Sequence, residues 1–116
     1  MSVVEHYTDR GVEVLVVLPA EVSRAEVVER LGHQIRRAVD ESGRAAFVLD
    51  LSRVTFMTSA ALGLLMNMQA HLGKRGARFA VAGISGEVAR VVEQTRLGQV
   101  MPVHQTVADA VEALGA

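Results

Sequence analysis

Residues 49–63 read LDLSRVTFMTSAALG, and this stretch decides the fold class because it joins a strand pattern to a helix pattern. The strand pattern is the short, continuous apolar run Ala45–Leu49, which predicts a central strand of a sheet. A polar pair, Thr58 and Ser59, then opens a helix predicted over Ala60–Leu72. Ligands and partners of α/β proteins bind beyond the carboxyl ends of strands, so this junction is the first candidate for a functional site.

The N-terminal residues predict a β-hairpin. The segments Val3–Thr8 and Val12–Leu18 are rich in β-branched residues, and the short gap between them contains Gly11. The second segment becomes uniformly apolar, which places it inside the sheet, and Pro19 ends it because proline cannot donate to a strand ladder.

A long amphipathic helix is predicted from Ser23 or Arg24 to about Glu41. Apolar residues recur at spacings of three and four and form one stripe. Ser23 followed by Glu26 fits a capping box at its start, and Gly43 is a natural C-terminal stop. Gly73 is assigned the same role at the end of the helix over 60–72.

The remaining segments continue the alternation of strands and helices. They predict a strand over Ala77–Ala82, a helix over Glu87–Gln94, a short edge strand over Val100–Val103 and a terminal helix over Val107–Leu114. The predicted fold class is therefore α/β: a small mixed sheet of four to five strands packed with about four helices. The N-terminal hairpin and two parallel strand–helix–strand units make up the sheet. Residues 1–116 are expected to form a single domain.

Composition excludes several classes of function. The formal net charge is −1, so no basic surplus points to nucleic acid as a partner. The chain has no cysteine, which excludes disulfides, thiolate metal ligands and a cysteine nucleophile. No apolar run is long enough to insert into a membrane and no secretory signal opens the sequence, so a cytoplasmic protein is expected.

No catalytic or metal-binding constellation is visible in the sequence. The chain has four histidines, which are His6, His33, His71 and His104. No two of them have a metal-ligand spacing such as HxxxH. The sequence contains neither a G-x-S-x-G nucleophile elbow nor a phosphate-binding G-x-x-x-x-G-K-(S/T) loop. We therefore expect no enzymatic activity, no metal and no cofactor.

Two features of the helix after residue 58 have two interpretations each. The helix is apolar nearly all the way round, so its surplus is buried either by the core alone or by a partner as well. Ser59 is either a plain helix N-cap or a side chain with a function, and Thr58 competes with it for both roles. A phosphate on Ser59 would lie beside the positive end of the helix dipole.

Residues 49–63 resemble the signature of STAS domains of the anti-sigma factor antagonist type, which reads approximately D-L-S-x-V-x-F-(I/M)-D-S-(S/T/A)-G-L-G. Residues 20–23 (AEVS) are similar to the family's G-E-(L/I)-D after its second strand. Residues 76–85 are similar to a third family pattern on the later strand. The resemblance spans essentially the whole chain, and the order of strands and helices agrees with it.

The resemblance implies a non-enzymatic switch. Members of this type bind an anti-sigma factor that is also a serine kinase, and this binding frees a sigma factor for transcription. The kinase phosphorylates the serine that matches Ser59 here, and the phosphorylated protein dissociates from the kinase. A metal-dependent serine phosphatase then removes the phosphate.

The same resemblance implies a docking surface around Ser59. Its predicted partner-binding residues are Glu21, Ser23, Met57, Thr58, Ala60, Ala61 and Leu62. Three of them depart from the family pattern, since Thr58, Ala61 and Ser23 stand where it has Asp, Gly and Asp. The alternative is a constitutive STAS scaffold or a subunit of a signalling or transport complex, in which Ser59 is only a cap.

Overall fold

A five-stranded mixed sheet forms the centre of the structure, a computed structural model that describes residues 1–115. In chain order the elements are β1 (Val4–Asp9), β2 (Val12–Val17), β3 (Glu21–Val22), α1 (Ala25–Ser42), β4 (Ala46–Asp50), β5 (Phe56–Met57), α2 (Ser59–Lys74), β6 (Arg78–Ala82), α3 (Gly86–Thr95), a 3-10 helix (Leu97–Gln99), β7 (Val103–His104) and α4 (Val107–Leu114).

The strand order in the main sheet is β1-β2-β4-β6-β7. Strands β1 and β2 pair antiparallel, whereas β2–β4, β4–β6 and β6–β7 pair parallel. Arg10 and Gly11 connect β1 to β2, and their φ values of 51° and 80° are those of a two-residue type I′ turn. The predicted mixed sheet, the hairpin and the two strand–helix–strand units are thus confirmed.

Both faces of the sheet are covered, because the central strands carry apolar side chains on both sides. Helices α1, α2 and α3 pack on one face, around the buried side chains Leu15, Phe47, Leu49, Phe79 and Val81. Helix α4 packs on the other face, around Val12, Val14, Val48, Ala80 and Ala82. Successive strand residues point to opposite faces, which is why the two clusters take alternate residues of each strand.

The apolar surplus of α2 is explained largely by core packing. This helix contacts β6, α1 and α3. Its buried residues include Leu62, Leu65, Met68 and Leu72. A Cβ added at Gly32 of α1 would lie 2.8 Å from Leu64 Cδ1, so the two helices approach closely there.

The predicted capping box of α1 is wrong. The helix begins at Ala25, and its N-cap is Arg24, which has an extended backbone and no side-chain hydrogen bond to the helix. Instead of reaching back to Ser23, Glu26 pairs with the Arg24 guanidinium at 2.9 Å. The predicted stop is confirmed, since Gly43 adopts φ 65°, which a residue with a side chain rarely does.

Two other predicted boundaries are corrected. Gly73 does not end α2, which continues to Lys74, and the left-handed residue of the connection is Gly76 with φ +74°. The last strand lies at Val103–His104 rather than Val100–Val103, because the preceding residues form a 3-10 helix and its closing turn. Within residues 1–115, no helix is both long and apolar enough to cross a membrane.

Candidate functional site

The site begins where the chain leaves the central strand β4. Asp50, the last residue of β4, is 9% exposed, and its Oδ1 accepts a hydrogen bond from the backbone N–H of Ser52 at 2.9 Å. Gly83, at the end of β6, has φ +78°, and a Cβ there would lie 3.0 Å from both Asp50 Oδ1 and Ser52 N. The loop after β4 is therefore held tightly against the end of β6.

Two short strands, neither of which was predicted, join the loop after β2 to the loop after β4. Strands β3 and β5 pair parallel, with Glu21 opposite Phe56 and Val22 opposite Met57. The backbone N–H of Thr58 donates to Val22 O at 3.2 Å and extends this connection to the start of α2. Segments distant in sequence are thus brought together at one end of the sheet.

The start of α2 separates the roles of Thr58 and Ser59. Thr58 is the N-cap, and its Oγ1 accepts a hydrogen bond from the backbone N–H of Ala61 at 3.3 Å. Ser59 is the first helical residue and is exposed, and its hydroxyl has no hydrogen-bond partner among residues 1–115. The cap interpretation of Ser59 is therefore wrong, and its hydroxyl is open to solvent.

The predicted partner-binding residues divide into two groups by exposure. The residues with exposed or half-buried side chains are Glu21, Ser23, Thr58 and Ala60. The buried residues are Met57 (1% exposed), Ala61 (0%) and Leu62 (1%). The exposed and half-buried residues offer atoms that a partner can contact. The buried residues pack beneath this surface and hold its backbone in place.

Phe56 is a surface residue that was not predicted from the sequence. Its side chain is 42% exposed, and it lies opposite Glu21 in the β3–β5 pair. The available signal was the two-residue period of an extended segment, which turns Phe56 outward when Met57 points inward. We call the surface formed by Glu21, Ser23, Phe56, Thr58, Ser59 and Ala60 the contact patch.

The contact patch combines an apolar area with a favourable position for an anion. Helix α2 has no acidic residue in its first turn, and the N-terminal end of a helix carries a partial positive charge. Ala60 follows Ser59 directly, Phe56 precedes it by three residues, and both are exposed. Among residues 1–115, no group of three or more His, Asp or Glu side chains is arranged to hold a metal ion.

A second polar cluster lies on the β1–β2 hairpin. Glu13 is 4% exposed, and its carboxylate accepts hydrogen bonds from Thr8 Oγ1 at 2.7 Å and His6 Nδ1 at 2.5 Å. Burial alone would raise the pKa of Glu13, but these hydrogen bonds and the charges of His6 and Arg44 outweigh burial and lower it. The cluster therefore holds an ionised, buried carboxylate within the hairpin, a feature that the alternating strand pattern did not reveal.

Comparison with known proteins gives a consistent result. Residues 7–110 match the STAS domain family. The chain is 25% identical over 81 residues to the anti-sigma F factor antagonist of Paenibacillus polymyxa, a match that covers 70% of this chain and 69% of that protein.

Two solved structures are similar over nearly the whole chain. An anti-sigma factor antagonist from Mycobacterium paratuberculosis is 28% identical with a TM-score of 0.80, covering 96% of this chain and 92% of that one. An anti-sigma-factor antagonist (STAS) domain protein from Planctomyces limnophilus is 22% identical with a TM-score of 0.81, covering 99% of both chains.

Proposed function

This chain belongs to the STAS domain family, and from that premise we propose that it acts as an anti-sigma factor antagonist. It binds an anti-sigma factor that is also a serine kinase, and this binding releases a sigma factor in the cytoplasm. Phosphorylation of Ser59 by the bound kinase ends the interaction, and a serine phosphatase restores it.

The observation that supports this proposal most strongly is the free hydroxyl of Ser59 within the contact patch. A kinase needs an accessible acceptor, and Ser59 is exposed at the first position of α2. The neighbouring Thr58 hydroxyl is half-buried and already accepts from the backbone N–H of Ala61. Phosphorylating Thr58 would disrupt the cap, whereas phosphorylating Ser59 leaves it intact.

The position of Ser59 makes phosphorylation compatible with the fold. A phosphate brings about −1.5 to −2 charges, and an anion is stabilised near the N-terminus of a helix. The first turn of α2 has no acidic side chain to oppose it. The phosphorylated chain therefore stays folded, and the charge acts on the partner rather than on the protein's own stability.

Release follows from the surroundings of the phosphate. Phe56 and Ala60 are exposed in the same contact patch as Ser59, and burying them against a partner contributes to binding. A phosphate in the same patch must lose water when the partner covers it, which costs free energy unless a cation pairs with it. The modified patch therefore binds an apolar partner surface more weakly.

The direct experiment mixes the purified protein with ATP and each anti-sigma factor kinase of the source organism. Mass spectrometry of the digested protein then locates any phosphate. We expect one phosphate, on Ser59, and no transfer to a Ser59→Ala variant that still binds the kinase. Stable binding without transfer to Ser59 would contradict the switch.

The departures at Thr58, Ala61 and Ser23 favour one second candidate, a STAS scaffold that is never phosphorylated. Thr58 removes the acidic group that the family signature places before the serine, so a kinase that recognises this group would not modify the chain. A scaffold is expected to co-purify with its partner in an amount that added ATP does not change. Loss of the complex on addition of ATP supports the switch instead.

A further inference from the structure

Strand β1 forms one edge of the main sheet, and its backbone groups point alternately toward and away from β2. Asp9 and Val12 flank the two-residue turn, and such a flanking pair exchanges both backbone hydrogen bonds. Bonded pairs then alternate along an antiparallel ladder. The residues bonded to β2 are Glu5, Tyr7 and Asp9, and those with outward backbone groups are Val4, His6 and Thr8.

The outward groups of Val4 are already satisfied within the chain. Its N–H donates to Gln34 Oε1 at 3.1 Å, and its C=O accepts from Ser2 Oγ at 2.8 Å. The outward N–H and C=O groups of His6 and Thr8 have no hydrogen-bond partner among residues 1–115. The free edge therefore consists of His6 and Thr8, and it stops at Val4, whose backbone groups are already bonded.

The side chains of the same two residues are held by the buried carboxylate of Glu13, which lies on β2 opposite Thr8. His6 Nδ1 lies 2.5 Å from Glu13 Oε2, and Thr8 Oγ1 lies 2.7 Å from Glu13 Oε1. A strand whose side chains are anchored loses little additional freedom when another strand pairs with it. The free edge of β1 is thus pre-organised for strand addition.

We propose that this edge pairs antiparallel with β1 of a second copy of the chain, around a twofold axis at Tyr7. In this register His6 of each copy lies opposite Thr8 of the other, and each of these two pairs exchanges two backbone hydrogen bonds. Every free outward group is then used. A register centred on His6 instead requires the backbone groups of Val4, which Gln34 and Ser2 already occupy.

A second copy fits this edge because the twofold axis places the exposed Tyr7 side chains of the two copies opposite each other. Tyr7 is 48% exposed, and at the axis the two tyrosine rings face each other as a cross-strand aromatic pair. Glu5 of each copy lies opposite Asp9 of the other, and these two like-charge pairs keep the association weak and sensitive to salt. The dimer uses no residue of the contact patch, so it is independent of the proposed switch.

Sedimentation velocity from about 10 µM to about 1 mM protein tests the association. We expect a reversible dimer that added salt strengthens. Tyr7→Lys, which places two like charges at the axis, should raise the dimer Kd about tenfold or more. Val100→Lys, an equivalent change at an exposed residue away from β1, should leave the Kd unchanged.

Amide hydrogen exchange of the wild-type protein tests the register without any substitution. In dilute protein we expect fast exchange at His6 and Thr8 and slow exchange at Glu5 and Tyr7. At high concentration His6 and Thr8 should become protected. A monomer at every concentration, or a dimer in which His6 and Thr8 still exchange fast or that Tyr7→Lys leaves intact, would overturn the proposal.

Discussion

Thr58 and Ala61 are joined by a hydrogen bond from the backbone N–H of Ala61 to Thr58 Oγ1, at 3.3 Å. This bond assigns the capping of α2 to Thr58 and leaves the hydroxyl of Ser59, the next residue, exposed to solvent. Capping and the proposed acceptance of phosphate are therefore divided between two adjacent residues. Stability and switching are expected to respond separately to substitution.

Removing the cap should destabilise the protein, whereas removing the proposed acceptor should not. Thr58→Ala loses the bond to Ala61 N, so we expect the free energy of unfolding to fall by about 1 kcal/mol. Ser59→Ala should change it by less than about 0.5 kcal/mol, since the hydroxyl makes no intramolecular bond. Urea denaturation of both variants measures the difference. An equal loss in the two variants would show that Ser59 contributes to the cap.

The buried carboxylate of Glu13 should make stability depend on pH in the acidic range. Its folded pKa lies below the ordinary value of 4.5, because the hydrogen bonds from Thr8 and His6 and the nearby cations outweigh the effect of burial. A lowered folded pKa stabilises the protein above the unfolded pKa, and this contribution disappears as pH falls through the folded pKa. The free energy of unfolding should therefore decline as pH falls below about 4.5.

Glu13→Gln isolates this contribution. Near pH 7 the variant should be less stable by about 1–3 kcal/mol, since charge-assisted hydrogen bonds to Thr8 and His6 are weakened in a buried site. Its stability should vary less with pH than that of the wild type below about pH 5. Urea denaturation at a series of pH values compares them. Parallel pH profiles would mean that Glu13 is not the group responsible.

Two glycine substitutions should have opposite effects on stability. Gly83→Ala introduces a Cβ at φ +78°, 3.0 Å from the backbone N of Ser52, and should destabilise by about 1–3 kcal/mol. Gly73 lies in α2, where no atom outside its own stretch of helix is within 4 Å of an added Cβ, so Gly73→Ala should stabilise by about 0.5–1 kcal/mol. Thermal unfolding of the two variants should therefore shift in opposite directions, and a stabilising Gly83→Ala would refute the tight approach.

Phe56 should contribute to partner binding. Its ring is 42% exposed in the contact patch, and exposed aromatic residues often dominate interface energetics. Phe56→Ala should raise the Kd for the anti-sigma factor about tenfold or more. The matched control is Val100→Ala, which truncates a side chain that is 44% exposed outside the patch. Similar effects of both substitutions in isothermal titration would remove Phe56 from the interface.

Much of the fold was predictable because its signals are local. The apolar run before Asp50, the three-and-four spacing of α1 and the glycine in the β1–β2 turn each depend on residues close in sequence. The two-residue strands β3 and β5 were missed because they are too short to show a pattern and form only through pairing with each other. The capping box at Ser23 failed because the N-cap is Arg24, so Glu26 lies at the second helical position rather than the third and pairs with Arg24 instead.

The candidate site was predictable in position but not in detail. The position of Ser59 at the start of a helix was clear from the sequence, but its competition with Thr58 for the cap depended on backbone geometry. The burial of Met57, Ala61 and Leu62 depended on which side of the chain faces the core. The sequence also did not reveal that Glu13 is buried and ionised, since its hydrogen-bond donors come from the neighbouring strand.

In the proposed switch, negative charge on Ser59 ends partner binding, and a comparison of three affinities tests this. The affinity of the anti-sigma factor is measured for the wild type, for Ser59→Asp and for Ser59→Asn, which matches the aspartate in size without its charge. We expect Ser59→Asp to raise the Kd about tenfold or more and Ser59→Asn to stay close to the wild type. Equal affinity of the Asp and Asn variants would contradict it.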